Sequence, residues 1–146
     1  MAPLVSTIEI DRPVSTVFEY VVDPAHFREW QTGLTAGHMD RDPVSVGARC
    51  HTTRRIGGRA REITSEITEF EPPRRWADHG LEGPIRGIVE VAVDPLDSDT
   101  RSRVTIRLDF EGHGVGRMLI PLVVRRQAAR EMPANMDRLK RQLETA

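Results

Sequence analysis

Between Leu34 and Phe110 apolar residues tend to recur at every second position, and over Val14–Val22 and Met118–Leu143 they recur at every third or fourth. The alternation is cleanest where Val104, Ile106, Leu108 and Phe110 interleave with Thr105, Arg107 and Asp109, the period of a half-buried strand. Val89, Val91 and Val93 share one strand face in the same way, and Ile63 and Ile67 share another. The predicted strands are Ala48–Arg55, Arg59–Phe70, Arg75–Leu81, Pro84–Val93 and Val104–Phe110. Gly57-Gly58 and Asp97–Thr100 read as turns, and Pro72-Pro73 breaks a strand because proline donates nothing to a ladder. Strands in close succession give an antiparallel meander.

The flanks differ. Ile8 and Ile10 alternate with Thr7 and Glu9 in a short first strand. Pro13 suits a helix start, and Val14, Val17, Phe18, Val21 and Val22 then fall on one helical face. Asp23-Pro24 restarts the chain into a second short helix presenting Phe27 and Trp30. Beyond the Gly112-His-Gly-Val-Gly116 joint, Met118, Leu122, Arg125, Ala129, Met132, Met136, Leu139 and Leu143 form one continuous helical stripe, with a kink expected at Pro133. The order predicts an α+β fold: a curved antiparallel sheet of about six to seven strands gripping a long C-terminal helix, with two short helices after the first strand. The whole span 1–146 is expected to be one domain. A cavity between sheet and helix would be lined by Met118, Leu122, Ala129 and Met132 from the helix and by Val91, Val93 and Phe110 from the sheet.

Bulk properties narrow the partners. A net charge of −1 gives no field for nucleic acid or an anionic surface. The doublets Arg54-Arg55, Arg74-Arg75 and Arg125-Arg126 lack neighbouring aromatic platforms, which also argues against nucleic acid. Cys50 is the only cysteine, so no internal disulfide forms and a reducing cytoplasm is the expected location. No signal-peptide pattern or membrane-length apolar run occurs. The five histidines show no metal-binding spacing, and neither a metal nor a cofactor is expected. Gly112-x-Gly-x-Gly lacks the surroundings of a dinucleotide loop and reads as a hinge. The expected assembly is a monomer or homodimer.

Candidate chemistry is sparse. If Trp76 faces inward, Asp78 shares its face, and a buried carboxylate needs a partner or a raised pKa. Arg54 is a candidate partner if Cys50, Thr52 and Arg54 form the inner set of their strand; a register slip of one would place both charges outside. Arg125 lies on the apolar stripe, either contacting a ligand carbonyl or snorkelling to water. Asp78, Arg54 and Arg125 are thus the weak catalytic candidates. Trp30 and Trp76 are either ligand contacts or core.

Several segments carry a resemblance along nearly the whole chain: Ile8–Pro13 with Val17-Phe18, Asp23-Pro24 with Trp30, Val46-Gly47, Gly57-Gly58-Arg59, Thr68–Arg74, Gly83-Pro84, Thr100–Thr105 and Leu139-Lys140. In these the sequence resembles the START-like superfamily, the Bet v 1-like helix-grip fold, and within it the bacterial polyketide cyclase/dehydrase or SRPBCC branch. The resemblance implies binding of a small hydrophobic molecule, a lipid, polyketide or aromatic metabolite, with Trp30 near one mouth of the cavity. It leaves open an aromatase/cyclase-type enzyme, in which Arg54 or Arg125 polarises a carbonyl and Asp78 moves a proton. It also leaves open a protein-interaction module such as a co-chaperone or toxin, because one scaffold hosts many functions.

Overall fold

The computed structural model describes residues 2–56, 58–114 and 120–145. Gly57 of the expected Gly57-Gly58 turn, Gly116 of the expected joint and Met118 lie outside the described residues. The chain runs β1 (Leu4–Ile10), α1 (Val14–Val21), a single 3₁₀ turn (Pro24–His26), α2 (Phe27–Trp30), β2 (Leu34–Met39), β3 (Arg49–Ile56), β4 (Arg59–Glu71), β5 (Arg75–Gly80), β6 (Ile85–Leu96), β7 (Arg101–Gly112) and α3 (Ile120–Glu144). Seven strands form one curved antiparallel sheet in the order β1-β7-β6-β5-β4-β3-β2. The meander accounts for every neighbour from β2 to β7, and β1 closes the far edge by pairing Ile8 with Val104 and Ser6 with Ile106.

Local chemistry sets the turns before the sheet. Asp23 accepts a hydrogen bond from the Ala25 amide at 3.0 Å, and Pro24 occupies the next position, where its missing N–H costs nothing. Gly37 on β2 allows that turn to sit directly on the sheet: a Cβ there would lie 2.6 Å from the Pro24 carbonyl oxygen. On the face away from solvent, Val17, Phe18 and Val21 of α1 join Ile10, Val93 and Val104 in the main core.

The helix α3 is seated unevenly. Met132, Met136, Leu139 and Leu143 are buried, with Leu139 wholly inaccessible. Leu122 is 42% exposed, Val123 68% exposed, and Ala129 is exposed as well. The stripe read from the sequence is therefore sealed only along its C-terminal half; in the first half Val124, Arg125 and Ala128 are half-buried, and Arg125 reaches Asp109 of β7. The helix continues through Pro133. Polar contacts fasten the seated half. Asn135 Oδ1 accepts from the Thr32 amide at 3.0 Å and the Thr32 hydroxyl at 2.7 Å, and Arg138 donates to Trp30 O, Thr32 Oγ1 and Asn135 Oδ1. Farther on, Glu144 accepts from the Asp11 amide and from Lys140.

Candidate functional site

Strand register defines the concave face. Cys50 lies opposite Ser65, Ser65 opposite Gly80, Ile67 opposite Asp78, Asp78 opposite Val89, and Val89 opposite Leu108. Trp76, Asp78 and Cys50 do face inward together, and the alternate register does not occur. This face has two zones. Trp76, Ile67, Val91, Val93, Val104 and Ile106 are fully buried beneath α1, α2 and the seated half of α3. Thr52, Ile63, Gly87, Val89, Leu108 and Phe110 are only half-buried, though they occupy the same face of the same strands. This half-open strip of the face, near which α3 begins (Arg125 lies 3.6 Å from Asp109), is called the trough. Phe110 of the expected lining lies there. Val91, Val93, Met132, Trp30 and Trp76 belong to the core beside it, and Leu122 and Ala129 are solvent-exposed.

Asp78 stands at the border of the two zones, 7% exposed. Its Oδ2 accepts the Ser65 hydroxyl at 2.8 Å. Burial raises its pKa from 3.8 to about 6, opposed by the Ser65 hydrogen bond and by nearby His79. Cys50, beside Ser65, has its thiol pushed up to about 12 by burial and by the Asp78 charge. Such a thiol stays protonated and is a poor nucleophile.

The expected Arg54–Asp78 pair is not made. Arg54 is opposite Arg61 on β4, whereas Asp78 is opposite Ile67, six residues and roughly 20 Å farther along that strand. Arg54 turns instead to the α2–β2 link, donating to Thr32 O at 3.2 Å and to Gln31 Oε1 at 3.3 Å. Burial lowers its pKa from the ordinary value, with the Glu131 carboxylate acting the other way. Arg125 is also committed: it donates to Ala2 O and lies 3.6 Å from Asp109 Oδ1. The three candidate catalytic side chains are therefore in three separate places.

Among the described residues no group of three or more His, Cys, Asp or Glu side chains is placed to hold a metal ion. Among them no helix is long and apolar enough to cross a membrane. A recess of about 180 Å³ lies at β2–β4, lined mostly by residues of the opposite, convex face, where the rings of His38 and His51 stack with centroids 5.1 Å apart. Of the half-buried residues of the concave face it includes Thr52 alone, and Asp78 is not among its lining residues.

The sequence profile described as "Polyketide cyclase / dehydrase and lipid transport" matches residues 1–144. The chain belongs to this family. No curated protein matches it. Among solved structures, a START superfamily protein from Mycobacterium smegmatis superposes with a TM-score of 0.79 at 13% identity, over 99% of each chain. The Zhui aromatase/cyclase from Streptomyces sp. R1128 superposes with a TM-score of 0.76 at 17% identity, over 97% of this chain and 93% of that one. The di-domain aromatase/cyclase BexL gives 0.76 at 17% identity, with this chain spanning 47% of its length. At these identities the likeness establishes the shared fold.

Proposed function

We propose that this family member binds a small, largely hydrophobic molecule in the trough beneath the first half of α3. The observation that carries the reading is the change of burial along one continuous face. Val91 and Ile106 are sealed, while Val89, Leu108 and Phe110, on the same strands, stay half-open. Apolar surface left half-open beside a packed core is what a hydrophobic ligand covers. The family description and the aromatase/cyclase neighbours agree with a lipid, a polyketide or an aromatic metabolite as occupant. Binding is favoured over cyclase chemistry because general acid–base work requires convergent groups. Here Arg54 and Arg125 are tied elsewhere and Asp78 has only Ser65.

Two measurements test the reading. Native mass spectrometry of the purified chain should show a co-purifying small molecule. Titration with N-phenylnaphthylamine should saturate, and Gly87→Leu should weaken it tenfold or more with little change in melting temperature. A Cβ on Gly87 meets only the Phe110 ring edge, at 3.9 Å, so a longer side chain would extend into the trough. Unaltered probe affinity in a folded Gly87→Leu protein would sink the proposal.

A further inference from the structure

Beside the trough stands a carboxylate with one oxygen that no other part of the described chain uses. Asp78 Oδ2 is taken by Ser65, but Oδ1 accepts no hydrogen bond among the described residues. Nor is Oδ1 sealed in: the fully buried, partnerless side-chain polar atoms among those residues are Trp30 Nε1 and Arg86 Nε. A carboxylate that is nine-tenths buried, without a counter-ion and with one open oxygen, is a costly thing to place in a core. Its strand neighbours across the face, Ile67 and Val89, offer no donor.

We propose that Asp78 Oδ1 is the anchor for a ligand hydroxyl, so that the trough selects hydrophobic molecules carrying a single hydrogen-bond donor of phenol, enol or alcohol type. This rests on the ligand-binding reading above and adds the polar end of the ligand to it. The donor arithmetic favours a hydroxyl over an amine. An ammonium brings three N–H donors, and Val89, Leu108 and Phe110 around the site supply no further side-chain acceptors. A hydroxyl brings one donor, which matches the one open oxygen. Ser65 holds the carboxylate in place by donating to the other oxygen, so the open one is fixed before the ligand arrives.

The test compares molecules of one shape. Naphthol, its methyl ether and naphthylmethylamine are titrated into the full chain by calorimetry at neutral pH. A hydrogen bond to an ionised acceptor corresponds to roughly ten- to a hundredfold in affinity. Naphthol should therefore bind at least tenfold tighter than the ether, and tighter than the amine. In Asp78→Leu the naphthol preference should collapse to within about twofold while the ether keeps its affinity; should that variant not fold, Asp78→Ala reads the same ratio. Equal binding of naphthol and ether by the parent, or a preference for the amine, overturns the hydroxyl anchor and leaves the trough reading standing. Failure of all three molecules, together with failure of N-phenylnaphthylamine, overturns both.

Discussion

Replacing Asp78 by Asn removes a charge that the fold holds at a loss. Folding takes this carboxyl from 3.8 to about 6, chiefly through burial, so the native state binds the proton more tightly than the unfolded chain does. The penalty on the ionised form is absent below about pH 4, grows between about pH 4 and 6, and is fully present above that window. A rise of about two units at about 1.4 kcal/mol each amounts to about 3 kcal/mol. Asn keeps an acceptor for the Ser65 hydroxyl and discards the charge. Asp78→Asn should therefore melt higher than the parent at pH 8, by roughly 10 °C at about 3–4 °C per kcal/mol for a chain of this length. The gap should close as the pH falls toward 4. Circular dichroism melts across pH 4–8 measure both. A pairing with Arg54, which strand parity alone permits, would give the opposite sign. An Asn variant that melts at or below the parent at pH 8, or a gap independent of pH, refutes the argument.

Other expectations follow from packing. Leu139→Ala should cost about 2–5 kcal/mol, since that side chain is wholly buried, while Leu122→Ala, at 42% exposure, should stay within about 0.5 kcal/mol; chemical denaturation of the two variants reads the contrast directly. Gly37→Ala forces a Cβ to within 2.6 Å of the Pro24 carbonyl and should destabilise by about 1–3 kcal/mol, seen as a lowered denaturation midpoint. Cys50 should resist thiol reagents in the native chain and react on unfolding. Cys50→Ser should leave N-phenylnaphthylamine binding unchanged; a loss of that binding would make the thiol part of the site.

Much of the sheet was legible because a period of two carries the inside–outside choice from residue to residue. Val104, Ile106 and Leu108 fix the concave face of β7, and the register transfers that face through Val89 and Asp78 to Ser65 and Cys50. Parity could not say how far along a shared face two residues lie, and so it brought Arg54 and Asp78 together when β4 separates them. Ser65 was overlooked although it alternates with Ile63 and Ile67, a pattern that marks it as inward-facing. Strand β2, with Gly37 and His38 interrupting its apolar positions, gave little local signal and is held by pairing with β3 and by the turn against Gly37. The stripe along α3 is continuous in sequence, yet periodicity reports only which side of a helix is apolar. Which half of that side finds a surface to cover depends on where the sheet, α2 and the Thr32–Asn135–Arg138 contacts hold the helix.

That uneven seating divides the labour along a single helix. The apolar residues that bury α3 in the core run from Met132 to Leu143, and the half-buried Val124, Arg125 and Ala128 come earlier. Changes at exposed positions such as Leu122 and Ala129 can widen, narrow or re-charge the opening without touching the buried contacts of the core. Stability and ligand preference are thus separately adjustable, and a lineage can explore new small molecules without first surrendering its core.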